Sequence, residues 1–583
     1  MKTFFKYLFM ISMSANFLAC SMDLNVPAFG LLDDEILTNK KGINDLLIGC
    51  YATLDGQASN DYYVWNNYFS TDDARFGSNM GVSTYDAFAD IQPTASEPAQ
   101  RWRTLYGMVL RSNDVLSILP KVEDMTEEEK DVAAAQARFI RGFNYLQIAI
   151  IWKNAPWIDE NSQYGDRSYL VLNDVDIFPF IEDDFLFAAD NLPETWSEVG
   201  RVNKWAAKAY LAKTYIFQNK YSEAKNILDD IIANGKTSNG LKYELLPFYK
   251  DNFRTATKHG SEAVFTVQMA VNDGSNSGPN GNPMSFQNGT YGGPGNNGYG
   301  WYQPSFDLVD AFQTDEQTGL PLLDNYHETP VKTDYGLSST DLFTPHDGAL
   351  DSRLDWCVGR RGIPYLDWGN HIGKGWIRNQ NNGGPYSSIK HVAEKARVSK
   401  DRQGTNKTNT PYNACRFADV LLWAAECEVE IGSLSKAQEY VNRVRQRAAN
   451  PEGFVKKYVN GVFTNEPAAN YKVGLYPEGI FTSEGKSFAR KAVRFERRLE
   501  LAMEFHRHFD LLRYNGNDFD VAKHVNIYLK REGNRLKPLS PGNLYLQGEY
   551  IKGKHELWPI PQVEIDRSVL SNGTSVLKQN PGY

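Results

Sequence analysis

Cysteine is scarce in this chain of 583 residues. The five cysteines are Cys20, Cys50, Cys357, Cys415 and Cys427, and no two of them form a CxxC pair. This spacing excludes the common zinc motifs and the thiol redox motif. A disulfide among the last four is compatible with an exported protein, but the spacing leaves the pairing open.

Long runs of one residue class are also missing. After the N-terminal region, no segment approaches the roughly 20 apolar residues that a membrane-spanning helix needs. There is no long basic run, and the net charge is −9 with a pI near 5.6. Binding of nucleic acid through a basic face is therefore disfavoured. The acidic balance also disfavours polyanionic ligands, although a local basic site can override net charge.

The motifs of several enzyme classes do not occur, namely G-x-S-x-G, the Walker loop and H-E-x-x-H. The adjacent acids Asp72–Asp73, Asp183–Asp184 and Asp229–Asp230 do not by themselves define the carboxylate separation of a glycosidase. On a predicted helix, His506 and His508 point to different faces and cannot chelate one metal ion together. We therefore expect a protein without a catalytic site, a cofactor or a metal motif.

The N-terminal region has the pattern of a secretory signal that ends at a lipidated cysteine. Lys2 and Lys6 precede an apolar run at 8–13, and the small residue Ala19 stands before Cys20. We predict a signal peptide at 1–19, lipidation of Cys20 and a polar tether at 20–32. Two or more acyl chains on the cysteine would anchor the protein stably to a membrane. The alternative is an ordinary cleaved signal with a chance cysteine.

Apolar residues recur at helical spacing in the first third of the chain. The spacing predicts helices at 38–54 and 102–119 and a long helix that begins after Thr126 and ends before Pro156. Thr126 and Glu129 have the spacing of a capping box, which marks the start of that helix.

Two segments have the pattern of tetratricopeptide helix pairs. In the first, the small residues Ala212 and Ala224 would let two antiparallel helices pack closely, and a weaker copy spans 424–441. Between these two segments, at 235–411, the helical spacing of apolar residues stops and the chain is rich in Gly, Asn, Pro and aromatic residues. This composition is typical of binding loops. We predict a predominantly α-helical domain at 33–583, with a scaffold at about 33–234 and 411–583 and a ligand-binding insertion at about 235–410.

Three further stretches are similar to one family. They are AQARFIR at 135–141 with WKNAPW at 152–157, RFERRLELAME at 494–504 with HRHFDLLR at 506–513, and LWPIPQ at 557–562 with QNPGY at 579–583. With the lipoprotein start and the helix pairs, they resemble the SusD/RagB family of nutrient-binding surface lipoproteins of Bacteroidetes. The resemblance covers nearly the whole chain.

This resemblance implies a SusD-like fold with an irregular, ligand-binding side. It also implies a lipid anchor in the outer membrane that faces the cell exterior, a SusC-like TonB-dependent β-barrel transporter as partner, and an oligosaccharide as the usual ligand. Peptide or another nutrient is the alternative cargo, because a scaffold does not fix the class of ligand. A surface glycosidase and a purely structural repeat protein are the remaining alternatives.

Aromatic residues make up 13% of the chain, and sugar-binding sites use flat rings flanked by polar side chains. The alternative for each ring is core packing, which we assign to Trp102, Trp152, Trp205, Trp423 and Trp558. The predicted ligand contacts are Trp65, Tyr68, Asp72, Asp73, Arg75, Tyr299, Trp301, Tyr302, Trp368 and Asn370.

The Arg and Glu residues at 494–504 fall at i, i+3 and i, i+4 spacings. This spacing predicts a salt-bridged, partly buried network whose role is to stabilise the scaffold.

Overall fold

A computed structural model describes residues 34–55, 71–78, 84–162, 167–274, 280–282, 289–294, 298–404, 407–516 and 518–583. The predicted signal peptide and tether, the lipidated Cys20, and the predicted contacts Trp65 and Tyr68 lie outside these residues. None of the described helices is both long enough and apolar enough to cross a bilayer.

The described part of the chain is mostly helical, with short antiparallel strand pairs. The α-helices are α1 Asp34–Leu37, α2 Lys40–Thr53, α3 Ser96–Ile118, α4 Glu127–Trp152, α5 Phe178–Asn191, α6 Lys204–Phe217, α7 Tyr221–Asn234, α8 Phe306–Ala311, α9 Leu354–Cys357, α10 Gln380–Gly383, α11 Val398–Asp401, α12 Phe417–Ile431, α13 Leu434–Ala448, α14 Ile480–Glu500, α15 Arg507–Arg513, α16 Val521–Leu536 and α17 Gln562–Arg567. The strands are β1 Ala74–Arg75, β2 Ala263–Val267, β3 Gln303–Pro304, β4 Val358–Gly359, β5 Ser387–Ser388, β6 Arg402–Gln403, β7 Lys407–Thr408, β8 Tyr412–Arg416, β9 Lys456–Val459 and β10 Val462–Pro467.

Helix α4 shows how local sequence sets the scaffold. The Glu129 backbone N–H donates to the Thr126 hydroxyl at 3.2 Å, and the Thr126 backbone N–H donates to the Glu129 carboxylate at 3.1 Å. This is the predicted capping box, and it satisfies two N–H groups that the helix leaves unpaired at its start. Buried residues such as Phe139 and Ile140 lie where α4 packs against α3 and α5. The prediction for this helix is confirmed.

The two predicted helix pairs lie side by side although a long segment separates them in sequence. Helix α6 packs against α7, α12 packs against α13, and α7 also packs against α12. Ala212 and Ala224 are fully buried, which allows the close approach of α6 and α7. The predicted mostly helical fold is therefore confirmed. The tryptophans that we assigned to packing are all buried, namely Trp102, Trp152, Trp205, Trp423 and Trp558.

Between α7 and β8, the described helices are at most six residues long. Strand β2 lies in this region and pairs antiparallel with β8, in a register that runs from Ala263 opposite Arg416 to Val267 opposite Tyr412. The pair brings the chain back to α12 and places Glu262 beside Arg416. The boundaries of the insertion stay a prediction.

The four described cysteines, Cys50, Cys357, Cys415 and Cys427, are buried free thiols. Burial raises the pKa of Cys50 to about 12, so that this thiol stays protonated and packs as a small apolar group. The fold of the described residues is therefore held without a disulfide among these four.

A cluster of buried ion pairs joins α14 to the strands and loops around it, and we call it the core network. In it, Glu500 receives hydrogen bonds from Arg416 at 2.8 Å, Arg447 at 2.5 Å and Arg353 at 3.1 Å. Each member is at most 8% exposed. The members are Arg353, Lys390, Arg416, Arg445, Arg447, Glu262, Asp351, Glu496, Glu500 and Glu504.

The core network confirms the prediction of an ion network at 494–504, with two differences. The partners are not i, i+4 neighbours on one helix, because the arginines that pair with Glu496 and Glu500 come from α9, β8 and α13 or the residues that flank them. The network is also fully rather than partly buried. It therefore ties distant elements together, which an intrahelical pair cannot do.

The cations of the core network lower the pKa of its carboxyl groups Glu500 and Glu504. Burial alone would raise the pKa of Glu500, but Arg447, Arg416 and the other cations outweigh it and lower this pKa to about 2. The same balance, with Arg416 and Lys390, lowers the pKa of Glu504 to about 2. Both groups are therefore charged at neutral and mildly acidic pH.

We expect Glu500→Gln to lower the free energy of unfolding by about 3–5 kcal/mol, because the substitution leaves three buried guanidinium groups without their shared carboxylate. Urea unfolding followed by circular dichroism measures this loss. Glu439→Gln is the matched control, since Glu439 pairs with Lys436 on the surface of α13 and should cost less than about 1 kcal/mol. Equal losses for the two variants would refute the central role of the network.

We expect the stability of the wild-type protein to fall steeply in acid. The pKa of Glu500 and of Glu504 is about 2 in the folded protein against an ordinary 4.5, so protons bind to the unfolded chain first. Their contribution is complete above about pH 4.5 and is lost as the pH falls towards about 2. Urea midpoints measured across this range should decline less in Glu504→Gln than in the wild type, and parallel curves would contradict this origin.

Candidate ligand-binding site

The candidate site is built on the short strand pair β1 and β3. Ala74 lies opposite Pro304 and Arg75 lies opposite Gln303, and the Gly77 backbone N–H donates to the Gly300 carbonyl at 2.7 Å. The residues just after β1 and just before β3 therefore lie at the same edge of the pair. This edge brings together rings that are far apart in sequence.

At this edge, aromatic rings and a guanidinium group form a stacked series, which we call the aromatic row. The rings of Phe76 and Trp301 are 6.1 Å apart and inclined by 15°, and those of Trp301 and Tyr299 are 5.1 Å apart and inclined by 17°. The guanidinium of Arg378 follows, 4.4 Å from the centre of the Tyr299 ring and 5.7 Å from that of Tyr291.

The aromatic row is partly open to solvent. Phe76, Tyr299, Trp301 and Arg378 are half-buried, and Tyr291 is 44% exposed. Because these rings stack on one another and on Arg378, a ligand meets their edges and the uncovered parts of their faces, together with hydroxyl and guanidinium groups that form hydrogen bonds. Such a surface suits a ligand with alternating apolar faces and hydroxyls.

Arg75 fixes β1 beneath the aromatic row. It is fully buried and ion-pairs with Glu532, and its Nε donates to the Gly383 carbonyl at 3.0 Å. The guanidinium also lies 4.7 Å from the centre of the Phe306 ring. We therefore withdraw Arg75 from the predicted ligand contacts, because its charge is used inside the fold.

Asp72 and Asp73 are also buried within the fold. Asp72 ion-pairs with Arg507 at 2.6 Å and Asp73 with Arg498 at 2.8 Å, and His524 lies 2.7 Å from Asp72. Burial raises the pKa of Asp72, but the two arginines outweigh it and hold that pKa well below its usual range. We withdraw both acids as ligand contacts, because these pairs attach the chain before β1 to α14 and α15.

Tyr302 is the fourth predicted contact that is buried. It is 3% exposed, and its ring packs 4.6 Å from that of Phe505. The next ring along the chain from Trp301 thus points into the core. Successive side chains near an extended segment face opposite sides, so a run of aromatic residues cannot all line one site.

Trp368 and Asn370 lie in a different loop from Tyr299 and Trp301. The Trp368 indole is half-buried and donates to the Ala393 carbonyl at 2.9 Å, and the Asn370 amide donates to the Tyr458 carbonyl at 3.2 Å. Asn370 and Tyr458 line a cavity of about 570 Å³ beside β9 and β10. The hydrogen bonds described here for Trp368 and Asn370 are made to Ala393 and Tyr458, which are not part of the aromatic row.

The structure adds Phe76, Tyr291 and Arg378 to the candidate site. Phe76 directly follows Arg75, but nothing in its local sequence separates a surface ring from a core ring. Arg378 follows an aromatic segment that contains Trp376, whose ring packs over Gly293 and whose carbonyl accepts the Tyr291 N–H at 2.8 Å. Among the described residues, no group of three or more His, Cys, Asp and Glu side chains could hold a metal ion.

Comparison with known proteins identifies two matching family models. A model described as the SusD family matches residues 261–583, and one described as starch-binding, associating with outer membrane, matches residues 17–216. A curated relative, SusD-like protein P25 of Formosa agariphila, is 24% identical over 468 residues, which cover 78% of this chain and 77% of the relative.

Solved structures have the same fold. A laminarin-binding SusD-like protein superimposes with a TM-score of 0.64 at 21% identity, covering 94% of this chain and 100% of that protein. Surface glycan-binding protein A from Bacteroides thetaiotaomicron in complex with laminarihexaose superimposes with a TM-score of 0.56 at 19% identity, covering 93% of this chain and 100% of that protein.

We expect Gly384→Ala to lower the free energy of unfolding by more than about 1 kcal/mol. Gly384 has a φ of 70°, and a methyl group there would collide with the guanidinium of Arg75. Gly461→Ala is the matched control, because Gly461 has a φ of 87° but open space around it and therefore incurs backbone strain alone. Urea unfolding should show the larger loss at 384, and equal losses would mean that the contact with Arg75 contributes nothing.

Proposed function

Because this chain belongs to the SusD family, we propose that it binds an oligosaccharide at the bacterial cell surface and delivers it to a SusC-like TonB-dependent transporter without chemical change. The match to a model described as associating with outer membrane supports the location. The glycan-binding proteins among its structural neighbours support the class of ligand.

The aromatic row is the observation that carries this proposal. Sugar rings present apolar C–H faces bounded by hydroxyl groups, and Tyr299 and Trp301 offer two nearly parallel rings that remain partly exposed. The Arg378 guanidinium lies beside them as a donor for sugar hydroxyls. Successive groups of the row are 6.1, 5.1 and 4.4 Å apart, so a ligand that lies along the row meets several of them in turn.

A surface capture protein must also release its ligand. Ring stacking with a few hydrogen bonds gives a dissociation constant between about 1 μM and 1 mM, which corresponds to roughly −8 to −4 kcal/mol. This range is tight enough to concentrate an oligosaccharide and weak enough to transfer it to a transporter.

The anchoring part of the proposal rests on the N-terminal sequence. Lipidation of Cys20 followed by a polar tether at 20–32 would attach the folded body to the outer membrane while leaving it above the surface. A Cys20→Ala variant tests this, because it should no longer incorporate labelled palmitate or remain in the membrane fraction.

We expect Trp301→Ala and Tyr299→Ala each to weaken glycan binding at least tenfold, which is about 1.4 kcal/mol, because each substitution removes a stacking surface. The measurement is affinity electrophoresis of the full chain through gels that contain neutral and acidic polysaccharides, followed by calorimetry with the glycan that retards it.

Phe180→Ala is the matched control for these variants. Phe180 is 41% exposed and stacks on Trp157 with centres 5.1 Å apart, so it resembles the ring pairs of the aromatic row but lies on α5. Its loss should leave glycan binding unchanged. Unchanged binding in Trp301→Ala and Tyr299→Ala would refute the proposed site, and retention of peptides with no response to any glycan would assign the protein to peptide capture.

A further inference from the structure

A second cavity, of about 280 Å³, lies beside α14, α15 and α16 and has a strongly basic lining, and we call it the basic pocket. Two carboxylates, Asp324 and Asp518, also contribute to its wall. The cationic side chains that line it are Arg490, Lys491, Arg494, Arg498 and Arg507. This concentration of positive charge contrasts with the net charge of −9 for the whole chain.

Two of the lining cations have carboxylate partners near the surface. Arg490 makes two hydrogen bonds to Glu430, at 2.6 and 2.9 Å, and a further ion pair to Asp518 at 2.6 Å. Lys491 pairs with Asp324 at 2.6 Å. The charges of Arg490 and Lys491 are therefore matched within the protein.

Two more lining cations have buried partners. Arg498 pairs with Asp73 at 2.8 Å and Asp307 at 2.9 Å, and Arg507 pairs with Asp72 at 2.6 Å. The charges of Arg498 and Arg507 are therefore also matched within the protein. Four of the five lining cations thus have a carboxylate partner within the protein. Arg494 is the fifth.

Arg494 has no carboxylate partner among the described residues, and its Nε is buried without a hydrogen-bond acceptor. Its guanidinium lies 4.2 Å from the centre of the Tyr514 ring. The nearby Glu426 is engaged with Arg513 at 2.5 Å. Burial lowers the pKa of Arg494, and the neighbouring Tyr514 and Glu426 oppose this effect only in part.

A guanidinium without a direct carboxylate partner in a ring-lined cavity is a binding group for an anion. Arginine presents a planar fork of donors that matches the two oxygens of a carboxylate or a sulfate. The walls also carry the rings of Tyr326, Phe495, Tyr514 and Phe519, which suit an apolar face. The volume is close to the lower limit for small-molecule pockets, so it accommodates one small unit rather than a chain.

We propose that the basic pocket binds an oxyanion carried by a sugar-sized molecule, such as a uronic acid or a sulfated monosaccharide, with Arg494 as the charge-pairing residue. The site does not share residues with the aromatic row, and it does not require that the row bind glycan. It would allow this acidic protein to accept anionic sugars at one defined position.

Isothermal titration calorimetry of the full chain tests the proposal with sodium glucuronate, sodium sulfate and glucose at constant ionic strength. We expect glucuronate to bind and glucose not to bind, and sulfate to compete with glucuronate. Arg494→Gln should weaken glucuronate binding at least tenfold, and Arg494→Lys should weaken it less, because lysine keeps the charge but loses the fork.

Arg443→Gln is the matched control. Arg443 also lies over an aromatic ring, 5.5 Å from the centre of Phe417, but it pairs with Glu244 at 2.9 Å outside the basic pocket. This variant and Trp301→Ala should both bind glucuronate as the wild type does, which separates this site from the proposed function of the aromatic row.

Circular dichroism and urea unfolding test whether Arg494→Gln is folded. If it is not, the glucuronate affinity of Arg494→Lys tests the role of Arg494 instead. Glucuronate binding that survives in both variants, or no binding of either anion to the wild type, would overturn the proposal. Binding of sulfate without glucuronate would overturn the assignment to a sugar.

Discussion

Buried ion pairing between α14 and its surroundings is the interaction on which this structure depends. The helix supplies Glu496 and Glu500, which neutralise arginines from three other elements, and the following residues supply Glu504. The charges tolerate burial because they are paired. Each carboxylate pairs with several cations, so removing one carboxylate leaves more than one buried cation without its partner. The centre of the protein is thus held by polar contacts of fixed direction as well as by apolar packing.

The same helix also connects the scaffold to the candidate binding surface. Arg498, on α14, pairs with Asp73, and the chain continues from there through β1 to Phe76 in the aromatic row. The rings of the row therefore lie on short strands and loops whose position is set by buried charges below them. Rigid support of this kind preserves the spacing of stacked rings when the surface is solvated.

The division between scaffold and surface explains what the sequence could and could not predict. The capping box at Thr126 and the small residues Ala212 and Ala224 act on neighbouring residues, so their pattern predicts helices and helix pairs correctly. The stack of Phe76 on Trp301 joins residues that are far apart in the chain, and no local pattern encodes such a contact. Only the folded chain shows which of these distant rings contact each other.

Charged residues show the same limit. Adjacent acids such as Asp72 and Asp73 look like solvent-exposed or ligand-binding groups, because their arginine partners follow more than 400 residues later. Likewise, the spacing at 494–504 correctly predicts a network, but it cannot name partners such as Arg353 and Arg416. The aromatic content predicts that some rings face a ligand. Only the fold shows that Trp301 is partly exposed whereas its neighbour Tyr302 is buried.

The position of Glu496, Glu500 and Glu504 near the end of the chain has a consequence for biosynthesis. A ribosome makes the chain from its N-terminus, so Arg353 and Arg416 emerge with Asp351 and Glu262 as partners long before their partners on and after α14 are made. The nascent protein can form its early helices, but the core network stays incomplete until translation is almost complete. Under the proposed function the polypeptide is exported before it folds, and a late completion of the core network suits that order of events.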